Sequence, residues 1–306
     1  MRYLPWLLAA CLLFAAPLHA AGQNDTDSID RQEAAPSDTS ELSIEQLRQA
    51  AENGDPGAQF NLGLAFQNGR DVPTDPVQAA IWYRKAAEQG LAEAQYNLAI
   101  LYSRGEGVET DPAQAADWYR QAAERGLAQA QYNLGLLYLE GTGVTQDDAA
   151  AARWFRKAAD QGHTGAQFSL AGLYAAGRGV DQDYAEAARL YELAAEQGEV
   201  AAHCNLGDIY ADSDNPRHDD NQALECYRNG ALRGDANAQF NMGVFYLTGR
   251  GTVENRVKAF AWFSLAAENG QADAARNVEI LKKELTGTEQ AMADVEAREL
   301  RRQLGQ

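Results

Sequence analysis

His203 and Cys204 stand side by side, and histidine with cysteine is the pairing from which thiol nucleophiles are made. Neighbouring residues on a helix point in different directions, however, so adjacency does not give a base that faces its nucleophile. The other histidines, at 19, 163 and 218, lack the spacing of metal ligands. Asp212-Ser213-Asp214-Asn215-Pro216-Arg217-His218-Asp219-Asp220 gathers oxygen ligands at short spacing, which is the chemistry of a calcium loop. Without the glycine and terminal glutamate of an EF-hand, it reads better as a variant solvent loop. The chain has no G-x-S-x-G, P-loop or H-E-x-x-H motif, and its G-x-G pairs lack the third glycine and preceding strand of a dinucleotide site. No catalytic residue, metal or cofactor is expected.

The elements that carry these residues follow from a repeat. AQFNLG at 58, AQYNLA at 94, AQYNLG at 130, AQFSLA at 166, AHCNLG at 202, AQFNMG at 238 and a faint AARNVE at 274 recur at intervals of 36 residues. A fixed period of this size without insertions marks a solenoid whose units bury their apolar faces by stacking on neighbours.

Each unit reads as two helices. Ala94, Leu98, Leu101 and Tyr102 form one apolar stripe at helical spacing, and the first helix stops at Arg104-Gly105-Glu106-Gly107-Val108. Equivalent glycine pairs stand at 141 and 143, 177 and 179, and 249 and 251. Asp111-Pro112 restarts the chain as N-cap and first-turn proline, and Asp75-Pro76 does the same one unit earlier. The second helix carries Ala115, Ala116, Trp118, Tyr119, Ala122 and Ala123 and ends at Gly126. Ser43-Ile44-Glu45-Gln46 is a capping box that opens a half-unit, and EQAMADVEARELRRQL is a charged last helix suited to covering the core. The expected fold is all-α, an α/α superhelical solenoid of helix-turn-helix repeats over 43–285, with a capping helix at 286–306.

The pattern A-x-[YF]-x-L-G-x-x-Y, then G-x-G-V, then A-x-x-W-[YF]-x-x-A-A-x-x-G resembles the Sel-one-like repeat (SLR) family, relatives of the tetratricopeptide repeats. That resemblance implies a right-handed superhelix acting as an adaptor or protein-binding scaffold, often in bacterial envelopes, with no shared catalytic residues. In such a superhelix the first helices line the concave side. Their residues outside the core stripe fall at i, i+3, i+7: Asn97, Ile100 and Arg104; Asn133, Leu136 and Glu140; Asn241, Val244 and Thr248. These are the candidate partner-binding positions. The recurring asparagine can grip an extended peptide, since its amide both donates and accepts, or satisfy the scaffold itself. The aliphatics form either an exposed contact patch or additional burial between first helices.

Cys204 stands where other units place Phe60, Tyr96, Tyr132, Phe168 and Phe240, and Cys226 where they place Trp82, Trp118, Trp154 and Trp262. The two positions lie about equally far from the loop centre, so a Cys204–Cys226 disulfide is expected in place of the lost aromatics. With no C-x-x-C motif, its role is structural.

Asp and Glu number 44 against 26 Lys and Arg, a net charge of −18 that repels phosphate backbones, so nucleic acid is not an expected partner. Residues 1–20, MRYLPWLLAACLLFAAPLHA, read as a secretory signal cleaved near Ala20, with an uncleaved anchor or lipidation at Cys11 as the alternatives that would tie the chain to a membrane. Residues 21–42 read as an acidic linker. The expectation is a monomeric, non-enzymatic scaffold of the periplasm or exterior that binds a protein or peptide. Two rivals stay open: an immunity-type inhibitor of a periplasmic effector, and a cell-wall or β-lactam hydrolase, for which no nucleophile or base is in view.

Overall fold

The computed structural model describes residues 42–304, so the signal and nearly all of the linker lie outside the described residues. Among those described there are fifteen helices and no strand. A half-unit α1 (Ile44–Glu52) precedes six pairs: α2 (Pro56–Asn68) with α3 (Pro76–Glu88), α4 (Ala92–Arg104) with α5 (Pro112–Glu124), and α6 (Ala128–Glu140) with α7 (Asp148–Asp160). Then follow α8 (Thr164–Ala176) with α9 (Tyr184–Glu196), α10 (Val200–Ala211) with α11 (Asp220–Ala231), and α12 (Ala236–Thr248) with α13 (Arg256–Glu268). The chain closes on α14 (Ala272–Glu284) and α15 (Gly287–Leu304). Sequential pairs pack as an all-α repeat solenoid. No described helix is long and apolar enough to cross a membrane.

Local chemistry sets the helix ends. Asp75 and Asp111 each accept from two backbone amides at 3.0–3.1 Å ahead of a proline, which satisfies donors that the first turn leaves orphaned. Ser43 and Gln46 form the reciprocal capping box. Gly107 has φ +70°, and a Cβ there would lie 2.1 Å from the Pro76 carbonyl oxygen, so the loop of one repeat rests on the second helix of the one before.

The described chain divides into two compact units, one of residues 42–173 with 177–181 and one of 174–176 with 182–304. In the first, Phe60, Tyr83, Tyr96, Leu98, Leu101, Tyr119 and Leu134 share one core. In the second, α15 packs on α13, and Ala297 and Leu300 join the core of Trp262 and Leu265.

Each letter of the recurring phrase now has a physical role. Alanine (Ala94, Ala130) is fully buried. Glutamine (Gln95, Gln131) donates at 3.0 Å to the Ala87 or Ala123 carbonyl, an orphan acceptor at the end of the preceding helix. The aromatic meets a ring of the second helix, and leucine fills the core. The closing glycine of the phrase makes room for that ring: a Cβ on Gly135 would stand 2.5 Å from Phe155.

Candidate functional site

The recurring asparagine is a staple between repeats. Asn205 Nδ2 donates to the Tyr191 hydroxyl at 3.1 Å and Asn133 Nδ2 to the Tyr96 hydroxyl at 3.4 Å, while Asn97 faces the Tyr83 hydroxyl. For Asn205 and Asn97 the tyrosine stands 14 residues earlier, on the second helix of the preceding repeat. Where that residue is Phe155, the asparagine is replaced by Ser169.

This geometry revises the expected contact surface. Asn97 (6% exposed), Ile100 (5%), Asn241 (8%) and Val244 (6%) are buried, Ile100 and Val244 within the cores of their units. Asn133 and Leu136 are half-buried, and Arg104, Glu140 and Thr248 are exposed. In the first unit Leu64 and Leu136 stay half-buried on the first helices and Arg104 and Glu140 exposed, with Tyr102 engaged by Arg84 at 2.6 Å; in the second unit Leu247 is half-buried.

The expected Cys204–Cys226 bond is not formed. Ring pairs in regular repeats explain why. Phe60 meets Tyr83, Tyr96 meets Tyr119, Tyr132 meets Phe155 and Phe240 meets Phe263, with centroids 5.3–5.7 Å apart. The counterpart of Cys204 is therefore Tyr227, one position beyond Cys226, and Cys204 shares its core cluster. Cys226 points elsewhere. Burial pushes its thiol up to about 12, and the charges of Glu192 and Glu225 add to the rise.

The fifth repeat also breaks the staple. Asp208 takes the register held elsewhere by Leu64, Ile100, Leu136, Gly172 and Val244. Its Oδ1 accepts from the Tyr227 hydroxyl at 2.7 Å and from Asn241 Nδ2 at 3.2 Å, so a carboxylate is inserted between the usual tyrosine and asparagine. Asn241 also approaches Cys204 Sγ at 3.6 Å. Burial pushes the Asp208 carboxyl up to about 7 and nearby Asp235 adds to this, while the two hydrogen bonds pull the other way. Sequence reading passed over Asp208; comparing each register position across the repeats would have exposed it.

In the variant loop, Asn215 occupies the place of Gly107 without positive φ, and the backbone takes another path. Asn215 Nδ2 donates to the Ile209 carbonyl at 2.8 Å, and the Tyr184 hydroxyl donates to Asp212 at 2.6 Å. These oxygens serve the loop itself. Among the described residues no cluster of three or more His, Cys, Asp or Glu side chains is placed to hold a metal.

Helix pairs stepping at a fixed interval, with their polar groups spent on inter-repeat bonds, define a repeat scaffold of the kind that suggests protein–protein interaction. The Sel1 repeat model matches residues 56–91, 92–127, 128–163, 164–199, 200–235 and 236–271, and the chain belongs to the Sel1 repeat family, typically a non-enzymatic scaffold. It is similar to c5321, a protective antigen present in uropathogenic Escherichia coli strains displaying an SLR fold, with 38% identity and a TM-score of 0.72. That likeness covers 86% of this chain and 56% of c5321, so the chain spans little more than half that protein's length. A Sel1 repeat protein from Oxalobacter formigenes is 33% identical with a TM-score of 0.64, covering 71% of this chain and 88% of its own. The immunity protein Pa5087 from Pseudomonas aeruginosa, 21% identical over 81% of this chain and 87% of its own, has a TM-score of 0.38, which carries no argument about function. No curated protein matches the chain.

Proposed function

We propose that the protein is an exported, non-enzymatic scaffold that holds a protein or peptide partner against the first helices of its repeats. The observation that carries this reading is the division of labour on those helices: glutamine and asparagine spend their amides inside, leaving Leu64 and Leu136 half-buried and Arg104 and Glu140 exposed on the first helices of one unit. Half-buried aliphatics rimmed by charge are the composition of a protein contact. A preformed helical surface also loses little conformational entropy on binding. Export rests on the N-terminal segment, and the acidic balance favours a partner with positive charge at the contact. The test is affinity capture from the envelope fraction with wild type and a folded Leu136→Lys variant. Enrichment of one protein by wild type and its loss from the variant supports the reading; equal capture by both, or capture by neither, contradicts it.

A further inference from the structure

The most departure-rich place in the molecule is the fifth repeat, where a carboxylate replaces an aliphatic on the first-helix line. Asp208 uses one oxygen, Oδ1, for both of its hydrogen bonds, to Tyr227 and Asn241. Among the described residues none of its hydrogen bonds uses Oδ2, and no lysine or arginine pairs with it, although the side chain is half-buried. The groups that face it are Tyr191 from α9, Cys204 on its own helix, Tyr227 from α11, and Asn241 and Asp235 from α12 and its cap. That set contains donors for one oxygen, a second carboxylate and no cation. A carboxylate so placed lacks the partner that buried charges ordinarily have.

We propose that Asp208 is the charged anchor of the binding surface, accepting a lysine or arginine side chain of the partner on Oδ2 while Tyr227 and Asn241 hold Oδ1 in place. This rests on the protein-binding reading above and adds its specificity. An ionised carboxylate is acceptor-only, so a cationic donor matches it where a neutral apolar side chain does not. Val244, at the same register one repeat on, is aliphatic, so a basic residue next to an apolar one is the sequence that fits.

Two peptide probes test this on the purified mature chain, acetyl-Leu-Lys-Leu-amide and its isostere acetyl-Leu-norleucine-Leu-amide, with binding read by NMR at pH 8. The lysine peptide is expected to bind wild type about tenfold more tightly, the scale of one charge-assisted hydrogen bond. Asp208→Asn should erase the difference, and lowering the pH to 5.5 should shrink it. A second reading needs no variant: the carbon signal of the Asp208 carboxyl should titrate at lower pH when the lysine peptide is present. Equal binding of both peptides to wild type overturns the anchor and leaves the protein-binding reading standing. A preference that survives in Asp208→Asn, binding of neither peptide, or an unmoved Asp208 titration also overturns it. Envelope capture that fails with wild type would remove the underlying reading instead.

Discussion

The third and fifth repeats share a phrase, a length and a helix pair, yet they use the interior differently. In the third, Tyr132 meets Phe155 ring to ring, Gly135 admits that ring, and Gln131 and Asn133 bond the preceding repeat. In the fifth, Gly207 admits Tyr227 in the same way, but Cys204 replaces the first ring and Asp208 captures the tyrosine hydroxyl. Regular repeats spend polar groups on joining one unit to the next. The fifth breaks the direct tyrosine–asparagine bond to the next unit and bridges it with an ionisable group, so a repeat can take on chemistry without losing its register.

The largest effect expected from breaking this contrast is in the regular repeat. Phe155→Ala removes a fully buried ring and should cost about 3–5 kcal/mol, read from urea unfolding. Tyr227→Phe keeps the ring and strips one hydroxyl from Asp208, so it should cost about 1–3 kcal/mol, and more at pH 8 than at pH 5 because the bond opposes the rise of the carboxyl pKa.

Asp208→Asn sharpens the comparison through pH. The folded-state pKa of Asp208, about 7, lies above the unfolded value of roughly 3.9, so its contribution to stability is full below that lower value and is lost as pH rises through 7. Asp111 and Asp219 behave oppositely: backbone hydrogen bonds lower them, and their contribution is lost as pH falls through the folded value. Wild type should therefore lose stability relative to Asp208→Asn between pH 4 and 8, seen as a melting-temperature difference that grows with pH; a constant difference would show that Asp208 does not titrate there. The smallest effect is at the surface. Arg178 pairs with Asp148 in a two-point contact at 3.0 Å, and Arg178→Gln should cost under about 1 kcal/mol because the pair is solvent-exposed and screened.

The fold was legible because its signals are local. Asp75-Pro76, Asp111-Pro112 and the loop glycines state where helices begin and end, and the 36-residue step states how they stack. The site was less legible because it depends on which residue faces which. The disulfide expectation missed by one position: the ring pairing runs from Cys204 to Tyr227. The asparagine fit two roles by type alone, and its partner was hidden 14 residues back on another helix, although Tyr83 with Asn97 and Phe155 with Ser169 wrote the correlation into the chain. Ile100 and Leu136 hold the same register, and only packing distinguishes the buried one from the half-buried one.

The most direct test of the central claim, that the first helices carry the contact, is photo-crosslinking in living cells. A photoreactive amino acid would replace Leu136 on a first helix or the exposed Asp117 on a second helix. A discrete crosslinked protein from position 136 and none from 117 is the predicted result; crosslinking from 117 alone would contradict the account.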